Sequence, residues 1–201
     1  MAYSDFTLEN VGPRLGLEFK RRELFPRLVP VTAPSWLLTS LQNSRDIAFN
    51  NEKSRSEFLI APILLAARQL HSENLAIYSG QRLTADAAMG LDGECDFILA
   101  ATESIPILRA PLVTIVEAKK QDMDQGIGQC APQMLAARMF NEKQGRLTQT
   151  LFGCVTTGND WQFLRIDGSI VTIDTTFYYL GDVNMILAAI LAAVAEARIT
   201  I

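Results

Sequence analysis

Leu112-Val-Thr-Ile-Val-Glu-Ala-Lys119 reads as a buried β-strand that ends in charge. Its first five residues are apolar apart from Thr114 and mostly β-branched, the composition of a strand covered on both faces. Side chains two apart in a strand share a face, so Glu117 and Lys119 point one way and Ala118 the other. Lys120 then falls opposite Lys119, which argues against a substrate role for it. An acid and an amine placed at the end of a buried strand need compensating partners.

Working upstream, residues 95–100 form a second apolar strand and residues 103–111 a loop. An antiparallel hairpin around that loop sets the start of the first strand beside the end of the second, which brings Asp96 to Glu117. Two carboxylates at one point repel unless a cation sits between them. Hard oxygen donors favour Mg²⁺ or Mn²⁺. Lys119 is then placed to orient or deprotonate a water, or to stabilise developing charge.

The flanking sequence supplies the rest of an α/β sandwich with a mixed β-sheet flanked by helices. Ser54 and Glu57 make a Ser-x-x-Glu capping box ahead of a buried helix that runs to Leu70, with Pro62 marking either a kink or a later start. Residues 75–78 read as a strand with a turn near Gly80, and 90–93 as a second turn. Gly126 and Gly128 lead into a helix over 129–141, where Pro132 sits in the first turn. Strands follow at 151–156, 161–166 and 170–173, the first two joined by a Gly158-Asn159-Asp160 hairpin turn. Asp182 caps a final helix over 183–197. Residues 1–53 form an N-terminal extension on the core domain at 54–201, with four prolines before residue 35, a segment at 17–25 that is a short helix or strand, and a helix over 35–43.

Gly93-Glu-Cys-Asp96 followed by Glu117-Ala-Lys119 resembles the PD-(D/E)xK nuclease superfamily, across about residues 54–165. Cys95 stands where the family often has proline, and Ala137 where one subgroup has an aromatic residue. The resemblance implies a restriction-endonuclease-like core and a nuclease that hydrolyses DNA phosphodiester bonds with Mg²⁺ (or Mn²⁺). It implies that Asp96 and Glu117 bind the metal, that Lys119 assists attack, and that an acid on the first core helix, Glu57, completes the metal environment. The helix after the motif often carries a glutamine near the site. Gln129 and Gln133, four residues apart on one helical face, are both candidates.

Composition bounds these readings. Apolar residues make up 49% of the chain, enough to build a core, and the longest apolar run is far shorter than a bilayer requires. The chain reads as soluble and cytoplasmic. Three scattered cysteines and a single histidine, His71, argue against disulfide and zinc frameworks, and His71 reads as a helix cap or surface residue. A net charge of −4 counts against a general nucleic-acid coating protein but does not exclude a nuclease, which needs only a local basic patch. Lys53, Arg55 and the Lys20-Arg21-Arg22 run are either phosphate contacts or a solvated face. Two further readings stand beside the nuclease: a binding or assembly module that keeps the fold without turnover, and a one-metal hydrolase of small molecules. The last helix, apolar nearly all round, packs on its own sheet or forms a homodimer interface.

Overall fold

The computed structural model describes residues 2–71, 74–119 and 121–200. Among these residues eight strands form one mixed sheet: β1 (Glu18–Arg21), β2 (Ala76–Asp86), β3 (Leu91–Ala100), β4 (Leu112–Ala118), β5 (Leu147–Thr156), β6 (Asp160–Asp167), β7 (Ile170–Tyr179) and β8 (Arg198–Thr200). The order is β1-β7-β6-β5-β4-β3-β2, with β8 pairing the first residues of β5. The β3–β4 and β5–β6–β7 pairs are antiparallel, whereas β4–β5 and β1–β7 are parallel. Among the described residues six α-helices accompany it: α1 (Leu8–Leu15), α2 (Ser35–Asn43), α3 (Glu52–Arg55), α4 (Ala61–Leu70), α5 (Met123–Lys143) and α6 (Val183–Glu196). Helices α2, α4 and α6 bury Leu37, Ile63 and Ile190 against one face of the sheet. On the other face lie α5 and the N-terminal segment, through Met134, Val11 and Phe6. The sheet is thus apolar on both sides, and every residue of β4 is buried.

The first 53 residues add β1 to the edge of the sheet and lay a strap across α5. Gly128 makes this strap possible, because a Cβ there would stand 2.7 Å from the Leu8 nitrogen. Pro13 lies inside α1 rather than ending it, at the cost of the bond its nitrogen would have given the Glu9 carbonyl.

The helical run before β2 starts earlier than its Ser-x-x-Glu pattern suggests. Asn51 is the cap, its side chain accepting the Ser54 N–H at 2.8 Å, while the Ser54 hydroxyl turns back to the Asn51 carbonyl. Between α3 and α4 the chain makes a π-helical turn, Ser56–Ile60, which closes with the Ala61 N–H on the Ser56 carbonyl. Pro62 explains the irregularity. It has no N–H for the Phe58 carbonyl, which takes the Ser44 hydroxyl at 3.4 Å instead.

Two further expectations shift. Gly80 is no turn: its φ of +61° lets β2 run on to Asp86, and the reversal comes over residues 87–90. Helix α5 begins at Met123, because Asp122 caps it by accepting the Gln125 N–H at 2.9 Å. Gly126, Gly128 and Pro132 therefore lie within the helix, with Pro132 near its middle. Asn141, fully buried on α5, secures the start of β4: its side chain accepts the Leu112 N–H at 2.7 Å and donates to the Leu112 carbonyl at 2.9 Å.

Helix α6 is capped by Asp182 and buries Val183, Ile186, Leu187, Ile190 and Val194 in its own chain. Those side chains pack in the core on one face of the sheet. No helix among the described residues is long and apolar enough to cross a membrane.

Candidate active site

Strand register brings the central acids together. Phe97 pairs with Val116, so the next step along the ladder sets Asp96 opposite Glu117. At that step the Asp96 side chain takes over part of the ladder: its Oδ2 accepts the Ala118 N–H at 2.7 Å. The hairpin placing these residues is the one read from the sequence, around the loop at 103–111. A bulge opposite the Leu99–Ala100 step adds a residue to β4. Beyond it, Ile115 packs in the core on the α5 side and Val116 in the opposite one.

Glu117 is 5% exposed and both its oxygens are engaged. Oε1 pairs with Lys119 Nζ at 2.9 Å, and Oε2 accepts from Gln133 Nε2 at 2.7 Å. The Lys119 stem is packed under α5 at Gly126, where a Cβ would stand 3.0 Å from Lys119 Cγ and 2.3 Å from Val155 Cγ1. Any side chain at 126 would push the lysine or β5 aside. The Lys119 backbone continues the pairing of β4 with β5, its N–H reaching the Thr156 carbonyl at 2.8 Å.

The helix acid facing this cluster is Glu52, not Glu57. Glu52 Oε1 stands 3.9 Å from Lys119 Nζ. Glu57 pairs with Lys53 at 3.8 Å on an exposed face. Five helical residues turn the chain through more than a full revolution, and the two acids point in different directions. The clue in the sequence was Asn51, a strong N-cap that puts Glu52 in the first turn. Gln133 touches the acid cluster directly. Gln129, one turn earlier on α5, is buried at 6% exposure on the same helical face.

Electrostatics follow from burial. Desolvation, then the charge of Asp96, holds the Glu117 carboxyl well above the usual carboxylate range, with Lys119 and Gln133 opposing. Asp96 is raised by burial and by Glu52 and Glu94, against the Ala118 N–H and Lys119. Burial works against the charge of Lys119, but Glu117, with Glu52 and Asp96, outweighs it and raises the ammonium's pKa. Asp96 therefore feels three other carboxylates and one ammonium. A second cation would be stabilised there.

The donor set limits which cation the site could hold. Among the described residues no three Asp, Glu, His or Cys side chains form a ready-made metal cage, so the trio Asp96, Glu117 and Glu57 does not assemble. Two carboxylates remain. That set fits Mg²⁺ or Mn²⁺, which commonly bind through one or two carboxylates and take other oxygens from water and substrate. It does not fit zinc, which prefers nitrogen and sulfur. The three cysteines are buried free thiols.

The remaining candidates lie elsewhere. Lys20, Arg21 and Arg22 belong to the β1 edge, four strands away from β4, or about 19 Å at ~4.8 Å per strand. Arg55 is closer, donating from Nη1 to the Thr157 carbonyl at 2.9 Å. Trp161 is fully buried and donates to the Gly158 carbonyl at 3.1 Å. His71 is the C-cap residue of α4. Lys120 lies outside the described residues. No family model matches this sequence, and no curated protein matches it.

Proposed function

We propose that this chain is a nuclease with a restriction-endonuclease-like core, hydrolysing phosphodiester bonds of nucleic acid, DNA in the first instance, with Mg²⁺ or Mn²⁺. One observation carries the reading: Asp96 Oδ2 accepts the N–H of Ala118, the residue between Glu117 and Lys119, while Lys119 Nζ stands 2.9 Å from Glu117 Oε1. Asp96 and Glu117 would hold the metal, which when bound supplies Lewis acidity and charge neutralisation at the phosphoryl group. Gln133 fixes the Glu117 carboxylate, so its geometry does not depend on a mobile rotamer. Asp96 is fixed likewise by the Ala118 N–H. Lys119 presents an ammonium where a phosphodiester would meet the acids, and there it orients the attacking water or stabilises charge on the phosphoryl oxygens.

The acid-rich surroundings of Asp96, with Glu52 and Glu94 nearby, favour a second reading. A long polyanion is held by many basic contacts, and a small phosphate ester needs far fewer. The same site would then act as a one-metal hydrolase of such esters.

The test is Mg²⁺-dependent cleavage of single- and double-stranded DNA, RNA and a small phosphodiester by the wild type and by Asp96→Ala, Glu117→Ala and Lys119→Ala. The expected result is cleavage of nucleic acid by the wild type and a loss of about 10²-fold or more in each variant. Cleavage of the small ester alone selects the second reading. Cleavage retained in all three variants moves the chemistry elsewhere, and no cleavage by the wild type leaves the fold as a binding module.

A further inference from the structure

The cation position in this site is already taken by a side chain. Lys119 Nζ is 2.9 Å from Glu117 Oε1, and its side chain is only 10% exposed. With Gln133 on Oε2, neither oxygen of Glu117 lacks a donor. A divalent ion about 2.1 Å from Oε1 and an ammonium on the same atom would be two cations at close quarters in a poorly solvated pocket. The acids can hold both charges but not both on Oε1, so Lys119 must leave that oxygen when a metal binds it. It cannot move as a whole, because its stem is pinned between Gly126 and the sheet. Its terminal atoms can swing, and Glu52 Oε1 is an acceptor within reach, 3.9 Å from Nζ and about an ångström beyond hydrogen-bonding distance. Glu52 is half exposed, at the solvent side of Lys119.

We propose that Lys119 is the resident cation of the Asp96–Glu117 pair, and that Glu52 is the berth to which its ammonium transfers when a divalent cation loads. The proposal rests on the cation-dependent reading above and deepens it. Glu52 becomes a positioning residue that acts through Lys119. The swing solves two problems with one side chain. Without metal, Lys119 offsets part of the repulsion between the buried Glu117 and the partly buried Asp96 carboxylates. With metal, it is drawn outward to the mouth of the site, where a phosphate would arrive. The coupling is reciprocal: what holds Lys119 on Glu52 strengthens metal binding, and metal binding strengthens the Lys119–Glu52 pair.

Direct Mn²⁺ binding to the full chain, followed by electron paramagnetic resonance of the free ion, tests this without any turnover. Four proteins form a double-mutant cycle: wild type, Glu52→Gln, Lys119→Met and the double variant. Lys119→Met is expected to bind Mn²⁺ about tenfold more tightly than wild type or better. Glu52→Gln is expected to weaken Mn²⁺ about fivefold in the wild-type background and less than about twofold when Lys119 is absent. An equal loss in both backgrounds overturns the proposal, because Glu52 would then act as a ligand or a plain charge; the cation site itself would stand. No Mn²⁺ binding by either wild type or Lys119→Met removes both the site and the transfer. Should Lys119→Met fail to fold, Lys119→Gln serves in the same cycle.

Discussion

Gln133 Nε2 donates to Glu117 Oε2 at 2.7 Å, joining the middle of α5 to the charged end of β4. Both residues are buried, and Gln133 Oε1 has no hydrogen-bond partner among the described residues. The amide is thus held in an incompletely satisfied setting to keep one carboxylate in place. Gln133→Leu keeps the volume roughly constant and removes the donor. The expected outcome is a loss of about 1–3 kcal/mol in urea unfolding, from a carboxylate oxygen left buried without its hydrogen bond. A change under about 0.5 kcal/mol would show that the contact has no structural weight.

Glu57 should be dispensable. Its carboxylate is about half exposed and 3.8 Å from Lys53, an exposed i,i+4 pair of the kind that contributes only a few tenths of a kcal/mol. Glu57→Gln is expected to leave stability within about 0.5 kcal/mol and to leave Mn²⁺ affinity unchanged. A marked drop in affinity would return Glu57 to the site in place of Glu52.

Gly126→Ala reverses the usual helix rule. In an exposed helix the change stabilises by about 1 kcal/mol. Here the new methyl would lie 2.3 Å from Val155 Cγ1 and 3.0 Å from Lys119 Cγ. Overpacking should dominate, with a net destabilisation of about 1–3 kcal/mol in denaturant titration. Enhanced stability would mean that β5 and Lys119 can move apart freely.

Asp174 sets a pH dependence of stability. It is fully buried, and its Oδ1 accepts the Leu24 and Thr176 N–H groups. Burial raises its carboxyl above the ordinary value near 3.8, against the pull of those bonds and of the Tyr178 hydroxyl. Between the ordinary and the raised value the folded chain holds the proton more tightly than the unfolded one. Stability therefore falls as pH rises through that interval. Unfolding free energies measured from pH 4 upward should decline more steeply for wild type than for Asp174→Asn, and parallel curves would refute the assignment.

Much of this was legible in the residues. The β-branched run ending in Glu117 and Lys119, the hairpin that returns Asp96 to it, the helix over 35–43, the Gly158-Asn159-Asp160 turn and the Asp182 cap all follow from short-range rules. These rules work because strand alternation, capping and turn chemistry depend on neighbours within a few residues. Element ends were read less well. Strand β2 passes through Gly80 because its partner β3 holds it there, and α5 starts early because Asp122 caps it.

The sequence by itself determined the layered α/β character, the buried fourth strand and the charged pair at its end. Only the tertiary structure decided that Glu52 rather than Glu57 meets Lys119, that Gln133 grips Glu117, and that Gly126 and Gly128 are sockets rather than a helix approach. Periodicity fixes which way a side chain leaves its own element. Which partner it finds depends on packing between segments tens of residues apart, and no local pattern encodes that distance.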